Sequence, residues 1–350
     1  MSGLEKTSYI ESESFVFIKK ITGSAKIGDH EILQDQHSGL LVFKKNILTN
    51  DFTKAEELKT KYEERKEYIC PYMLKCLDYS LSIKHDWCSK FYSIKVYYEY
   101  PFYDLEKILK ARINSKSKFL HEEIMYVFYH TLEGLCYLES KELNEGHLQL
   151  NTVFYDDYLQ IYKLVDNFSK LSYKERCFDY FYMNNGFKIF TPEMLKIMKT
   201  NQPIMIDYSK VDIYCLGVIM LALGNIDTIY QIYDLGAFTI NYNYLNMFMK
   251  KIYDQYNDKN PLLIEIIKDL LIENPEYRPS PLQVKAKFPS YEQFKKVIGQ
   301  HEMPTKLNSG IQEPTEINTK DFIKSHKELK QFRKSTIGFK LFKGTSYDNF

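Results

Sequence analysis

The chain has 350 residues, which is long enough for one large domain or for two smaller lobes with a proper hydrophobic core. A formal net charge of +1 excludes a general electrostatic attraction to nucleic acid or to anionic membrane. The six cysteines form no CxxC pair, so the sequence indicates neither a zinc site nor a disulfide framework. The N-terminus lacks the apolar core of a signal peptide, and we expect a cytoplasmic protein, with association with the cytoskeleton or another assembly as a further option.

The first hundred residues predict a small antiparallel sheet with one helix. Runs rich in β-branched and aromatic residues, which are typical of strands, are Phe15–Ile21, Ile32–Leu33, Gly39–Lys45, Met73–Leu81 and Phe91–Tyr100. Between the third and fourth of these runs, Asn50–Lys66 is charged with a thin apolar stripe, which predicts a helix.

The sequence after residue 103 is mostly helical in pattern. Predicted helices are Asp104–Ala111, Leu120–Glu139, Pro261–Glu273 and Pro281–Lys287, and short strands are predicted at Thr152–Tyr155 and Gln160–Val165. A small sheet lobe followed by a larger helical lobe is an α+β, bilobal arrangement. The hinge between the lobes is expected near Glu99–Phe102.

The longest apolar helix is predicted at Ser209–Gly224. Its middle, Ile213–Leu223, carries no charge and is apolar on every side, which is typical of a buried core helix. The run is shorter than the roughly 20 residues that a membrane span requires. Asp212, the one carboxylate at its start, should be hydrogen-bonded to specific partners, because an unpaired buried carboxylate is costly.

The composition changes again beyond about Pro289. The segment Thr319–Lys343 holds eight Lys and Arg residues against two acids, interleaved with apolar side chains. The predicted organisation is an N-terminal extension (1–14), an N-lobe (15–100), a C-lobe (101–289) and a C-terminal extension (290–350). Two interpretations of the basic and aromatic tail (319–343) stay open: it docks on an acidic partner surface, or it folds back along its own domain.

Three motifs in the helical lobe resemble the eukaryotic protein kinase family. Val211–Val218 resembles the segment that opens the central helix of that family. Thr191, Pro192 and Glu193 resemble its APE motif, and Arg278 stands where the family has an arginine that pairs with this glutamate. The resemblance covers Phe15–Pro289 and implies a kinase-like bilobal fold, with Asp212, Glu193 and Arg278 as structural residues.

The segment that resembles the catalytic loop lacks the residues of catalysis. In the family this loop supplies an Asp that accepts the substrate proton, a Lys on the γ-phosphate and an Asn on Mg²⁺. The corresponding residues here are His147, Gln149 and Thr152. A register shifted by one keeps Asn151 as the metal ligand but places Gly146 at the base position. Either register loses the base carboxylate.

The positions that would hold metal and nucleotide are also changed. Asp166 follows a predicted strand, where the family has its metal-binding Asp, but Asn167 and Phe168 replace the Phe-Gly that follows it. Asp166 is a candidate Mg²⁺ ligand or a capping carboxylate. Lys44 is the candidate phosphate lysine, although Lys45 leaves the register open.

Bulky side chains stand at the positions that line the nucleotide pocket in the kinase family. Phe43 takes the small position over the adenine, and Tyr98 takes the gatekeeper position. The resemblance implies that Glu99 and Tyr100 supply backbone groups to an adenine. In the family, a glutamate of the N-lobe helix pairs with the phosphate lysine. The residue of this chain that aligns with that glutamate is Lys61, and three glutamates lie close to it in the sequence: Glu57, Glu63 and Glu64.

The positions that differ from the family are those of catalysis and nucleotide binding, whereas the structural motifs are retained. The sequence therefore predicts a catalytically inactive kinase-like domain, a pseudokinase. It would act as a scaffold, an allosteric partner or a structural component of a larger assembly. We expect it to bind no cofactor and no specific nucleic acid. Its expected partners are other proteins. One alternative is an unorthodox active Ser/Thr kinase that uses ATP and Mg²⁺ through Lys44, Asp166 and Asn151, with His147 or Asp156 near the reacting hydroxyl. Another is a nucleotide-binding module that senses ATP without turnover.

Overall fold

The structure is a mixed α+β arrangement of a small antiparallel sheet lobe and a helical region. It is a computed structural model. The residues that it describes are 15–21, 29–35, 41–86, 89–100, 103–146, 148–156, 159–165, 188–202, 204 and 206–298.

Five antiparallel strands form the sheet of the first lobe. They are β1 (Phe15–Ile21), β2 (His30–Asp35), β3 (Leu41–Thr49), β4 (Cys76–Asp86) and β5 (Ser89–Glu99). They lie in the order β1-β2-β3-β5-β4, so β1 and β4 are the edges. Each predicted strand run is confirmed; β1 has the predicted bounds, and the ends of the other four are shifted.

Helix α1 (Phe52–Lys66) covers one face of this sheet. Asp51 caps its first turn by accepting a hydrogen bond from the Lys54 N–H, and Ala55 and Tyr62 face the strands. Phe43 and Ile47 of β3 belong to the same apolar cluster, because alternate residues of a strand share a face. Val42 lies on the opposite face.

The helical region begins with β6 (Tyr103–Asp104). Its helices are α2 (Leu105–Ser115), α3 (His121–Ser140), α4 (Pro192–Thr200), α5 (Tyr208–Asn225), α6 (Tyr242–Tyr256), α7 (Pro261–Leu270), α8 (Pro281–Lys287) and α9 (Tyr291–Ile298). Strands β7 (Val153–Asp156) and β8 (Ile161–Leu164) form a sheet with β6, and β9 (Tyr233–Asp234) pairs with β10 (Thr239–Ile240).

Helix α5 is the buried axis that its composition predicts. Every residue from Val211 to Gly224 is buried, and α3 and α7 pack against it. Gly217 permits the close approach of α7, since a Cβ at this position would lie 2.9 Å from side-chain atoms of Leu270 and Leu271. Among the described residues, no helix is long and apolar enough to span a membrane.

Helix α9 extends the helical region beyond the predicted boundary at Pro289. Tyr291 packs against Tyr126 and Tyr129 of α3, and Phe294 contacts the same two rings. Residues 291–298 therefore pack on the domain instead of starting a separate extension. The tail predicted at 319–343, like the N-terminal extension 1–14, lies outside the described residues.

Two sets of bonds join the sheet lobe to the helical region, and we call them the interlobe contact. Leu74 donates its N–H to the Leu164 carbonyl, and Leu164 donates to the Tyr72 carbonyl, both at 2.8 Å. Lys163 of β8 lies 2.9 Å from the Glu99 carboxylate at the end of β5. The backbone bonds and the ion pair together hold β8 at one end of the β4–β5 pair, where β4 begins and β5 ends.

His130 of α3 lies buried among the rings of Tyr72, Tyr126, Tyr162 and Tyr291. Its Nδ1 accepts a hydrogen bond from the Tyr162 N–H at 3.2 Å, and its Nε2 has no hydrogen-bond partner among the residues that the structure describes. Burial, with a smaller contribution from Lys295, lowers the pKa of His130 to about 3. This imidazole therefore stays neutral in the folded protein.

The neutral His130 makes stability depend on pH. Above the unfolded pKa near 6.5, neither state binds the proton, and the contribution of His130 is complete. Below it only the unfolded chain binds the proton, so we expect a loss of about 1.4 kcal/mol per pH unit, down to the folded value. Urea unfolding between pH 7 and pH 5 should show a steeper loss in the wild type than in His130→Asn, which retains an acceptor but does not titrate. Equal slopes would contradict this assignment.

Candidate functional site

Asp212 joins the central helix to the loop that resembles a catalytic loop. Its carboxylate, 1% exposed, accepts hydrogen bonds from the backbone N–H groups of Glu145 at 3.0 Å, Gly146 at 2.8 Å and Leu148 at 3.1 Å. Gly146 has a φ of 78°, a conformation that glycine adopts without strain. The specific partners expected for Asp212 are thus three amides of one loop.

Arg278 and Glu193 form a buried ion pair. Arg278 Nη1 lies 2.7 Å from Glu193 Oε1, and the side chains are 0% and 5% exposed. The guanidinium also donates to the carbonyls of Ile272, Lys210 and Glu273. Arg278 therefore ties the start of α4 to the start of α5 and to the loop after α7.

Gln149 and Thr152 are occupied by structural hydrogen bonds. The Gln149 amide accepts from the Ile189 N–H at 3.1 Å and donates to the Ile189 carbonyl at 3.4 Å. Thr152 Oγ1 accepts from the Gln149 N–H and donates to the Gln149 carbonyl. These contacts hold both side chains within the protein, and they fix the loop beside the chain that leads into α4.

His147 and Asp166, the candidate base and metal positions, lie outside the described residues. Asn151, the alternative metal ligand, lies in a 3-10 turn (Leu150–Thr152). Its Oδ1 is buried and finds no hydrogen-bond partner within the described part of the chain. The described part of the chain contains no group of three or more His, Cys, Asp or Glu side chains that could hold a metal ion.

Lys44 lies on the face of the sheet opposite to α1. It stands directly across from Glu31 in the β2–β3 pair, and its Nζ lies 2.6 Å from the Glu31 carboxylate. Phe43 lies on the face that packs against α1. Lys45 lies on the same face, because residues two apart in a strand point the same way. Between the two registers left open by the sequence, this pairing places Lys45, and not Lys44, on the inner face.

Helix α1 does not turn its glutamates toward the sheet. Glu57, Glu63 and Glu64 are exposed, whereas the buried positions of the helix are Ala55, Tyr62 and Arg65. Glu63 accepts a hydrogen bond from the hydroxyl of Tyr79 on β4. The ion pair of Lys44 is made with Glu31 of β2 and not with any of these helix residues.

Aromatic side chains fill the space between the sheet and β7. The rings of Phe43 and Tyr98 stack with centroids 5.1 Å apart and planes 7° apart. Phe154 of β7 and Val165 belong to the same buried cluster. Phe43 and Tyr98 are each 1% exposed, so water is excluded from this part of the cleft.

The backbone donors expected to meet an adenine are already used within the chain. The Glu99 N–H donates to the Lys75 carbonyl at 3.1 Å, and the Tyr100 N–H donates to the Leu41 carbonyl at 3.0 Å. The following residue, Pro101, has no backbone N–H. The described hinge residues therefore offer no N–H to a base.

Lys163 is a site residue that sequence reasoning missed. Its Nζ lies 2.9 Å from Glu99 and 2.7 Å from Asp156, and the side chain is 6% exposed. Burial lowers the pKa of Lys163, but the two carboxylates outweigh this effect and raise it overall. The available signal was a single lysine inside the apolar strand β8. Asp156, named above as a residue that could lie near the reacting hydroxyl, forms an ion pair with Lys163.

The chain matches no protein-family model and no curated protein.

Proposed function

We propose that this chain is a catalytically inactive, protein-kinase-like domain that acts as a scaffold or structural component of a protein assembly. The kinase-like assignment is supported by Asp212, which holds the loop around Gly146, and by the Arg278–Glu193 pair, which the sequence motifs led us to expect. The α+β arrangement of sheet lobe and helical region is compatible with it.

The observation that carries the proposed inactivity is the stacking of Phe43 on Tyr98. By the resemblance to kinases, these two side chains correspond to the residue above the adenine and to the gatekeeper at the back of the adenine pocket. Their packing against Phe154 and Val165 leaves this space filled by the chain's own side chains. A nucleotide would have to displace a buried aromatic pair, which is worth about 0.5–1.5 kcal/mol beyond its buried area.

The polar contacts around this cluster support the same proposal. Gln149 and Thr152 stand where the resembled catalytic loop has its lysine and its metal-binding asparagine, and both form hydrogen bonds within the protein. The N–H groups of Glu99 and Tyr100 are similarly occupied. Binding of ATP would therefore break existing interactions without finding ready-made replacements.

A thermal unfolding experiment with ATP and Mg²⁺ tests the inactivity. We expect no rise in melting temperature, whereas a ligand at 100 times its dissociation constant would stabilise the fold by about 2.7 kcal/mol. Mg²⁺ alone is the control for effects of the ion, and an active kinase in the same buffer shows that binding is detectable.

A phosphate-transfer assay completes the test. Incubation with labelled ATP and a mixture of acceptor proteins should transfer no label above the rate of a heat-unfolded sample. A nucleotide-dependent rise in melting temperature, together with label transfer that Asp166→Ala abolishes, would overturn the proposal and favour the active kinase.

A further inference from the structure

Helix α9 is held on the domain by the aromatic residues of its first turn. Tyr291 and Phe294 contact the rings of Tyr126 and Tyr129 on α3, and Phe294 is buried. The preceding helix, α8, packs along α3 more extensively than α9 does. A helix with few buried contacts detaches at a lower free-energy cost than the rest of the domain unfolds.

Two polar groups of α3 are buried where α9 docks. Tyr129 and His130 both contact the ring of Tyr291, with ring centroids 5.7 Å and 4.9 Å apart, and both are buried. Neither the Tyr129 hydroxyl nor the His130 Nε2 has a hydrogen-bond partner within the described ranges of the chain. Burial raises the pKa of the Tyr129 hydroxyl to about 12. Burying these groups without replacing their hydrogen bonds to water weakens the docking of α9.

His130 connects α9 to the sheet lobe. Tyr72, in the segment that leads into β4, stacks on the His130 ring with centroids 5.2 Å apart, and Tyr291 meets the same ring edge-on. The Tyr72 carbonyl is itself an acceptor in the interlobe contact. At its C-terminal end, α9 leads directly into residues 299–350. In the sequence of contacts, α9 therefore stands between the last part of the chain and the interlobe contact.

We infer that α9 is a displaceable cover, which docks on the aromatic face of α3 in one state and leaves it in a second state. In the second state, water reaches the Tyr129 hydroxyl and the His130 Nε2. The two states are close in free energy, because docking gains the contacts of two aromatic rings but leaves two polar groups unpaired. Movement of α9 changes the packing of His130 beside Tyr72, and so reaches the sheet lobe. The inference does not rest on the proposed function.

Amide hydrogen exchange of the full-length chain, resolved by residue, tests this inference. The Phe294 N–H, which donates to the Ser290 carbonyl in α9, should exchange at least about tenfold faster than the Phe288 N–H of α8, because α9 detaches without unfolding of the domain. Tyr129→Phe retains the ring and removes the unpaired hydroxyl, so exchange in α9 should become at least about fivefold slower. A merely structural role predicts the opposite sign, since most substitutions of buried residues loosen a fold.

Two further variants control this measurement. Tyr137→Phe is the matched control, because Tyr137 lies on the same helix but its ring contacts Tyr68 of the sheet lobe, so exchange in α9 should not change. Phe294→Ala removes a buried contact of α9 and should make exchange in α9 at least about tenfold faster. The amides in the middle of α5 should keep their wild-type rates in every variant.

Three results would overturn the inference. They are equal exchange rates in α9 and α8 of the wild type, unchanged or faster exchange in α9 of Tyr129→Phe, and faster exchange throughout the domain in Phe294→Ala. Should a variant fail to fold, the comparison of α9 with α8 in the wild type still decides the question.

Discussion

Replacement of Arg278 by methionine is expected to lower the free energy of unfolding by about 3–5 kcal/mol, because a buried carboxylate loses its counter-ion. Arg278 is 1% exposed, and its guanidinium lies 4.8 Å from the ring of Tyr214. Without it, Glu193 remains buried with an uncompensated charge, and the carbonyls of Ile272 and Glu273 lose their donors. Arg278→Lys should be intermediate, since lysine retains the charge but not the planar fork of donors.

Urea unfolding monitored by circular dichroism measures this loss. Lys285→Met is the control, because its pair with Glu133 has side chains 44% and 25% exposed and should be worth no more than about 1 kcal/mol. Adding Glu193→Gln to Arg278→Met should recover part of the loss, because the buried charge is removed. If Arg278→Met were no more destabilising than Lys285→Met, the pair would not stabilise the fold.

Replacement of Asp212 by alanine should cost at least about 3 kcal/mol, since three buried amides lose their acceptor at 1 kcal/mol or more each. The amides belong to Glu145, Gly146 and Leu148, and all three are buried. Asp212→Asn retains one carbonyl oxygen and should lose less.

Hydrogen exchange distinguishes this local effect from general destabilisation. In Asp212→Ala, the amides of Gly146 and Leu148 should exchange faster than amides in the middle of α5. Asp207→Ala is the control: this exposed carboxylate caps the same helix through the Ser209 N–H, and its loss should cost about 0.5–2 kcal/mol. Equal costs for the two variants, with unchanged exchange at the loop, would refute the anchoring role.

The elements with the strongest local patterns were predictable. The uncharged run Ile213–Leu223 identified α5, whose observed bounds differ from the prediction by one residue at each end. β1 and α8 have the predicted bounds, because turn residues and prolines mark their ends. Helix α6 was not predicted, since only Phe248, Ile252 and Tyr256 are buried and its exposed tyrosines and methionine blur the apolar stripe.

The site was less predictable than the fold, because its geometry depends on contacts between distant segments. Two adjacent lysines, Lys44 and Lys45, cannot be assigned to faces of a strand from their types alone, and only the pairing with β2 separates them. The pair between Gln149 and Ile189 likewise joins segments 40 residues apart. Asp212 was predictable because a carboxylate that opens an apolar helix must find buried donors nearby.

The interlobe contact bears on how such a molecule could respond to its surroundings. With β8 bonded to the Tyr72 carbonyl and Lys163 paired with Glu99, the two parts are joined by both backbone and side-chain bonds. An arrangement in which the two parts separate would have to break these bonds, so its free energy would be raised by their loss. A ligand or partner that acts by separating the two parts would therefore have to bind the separated form more tightly by at least that amount.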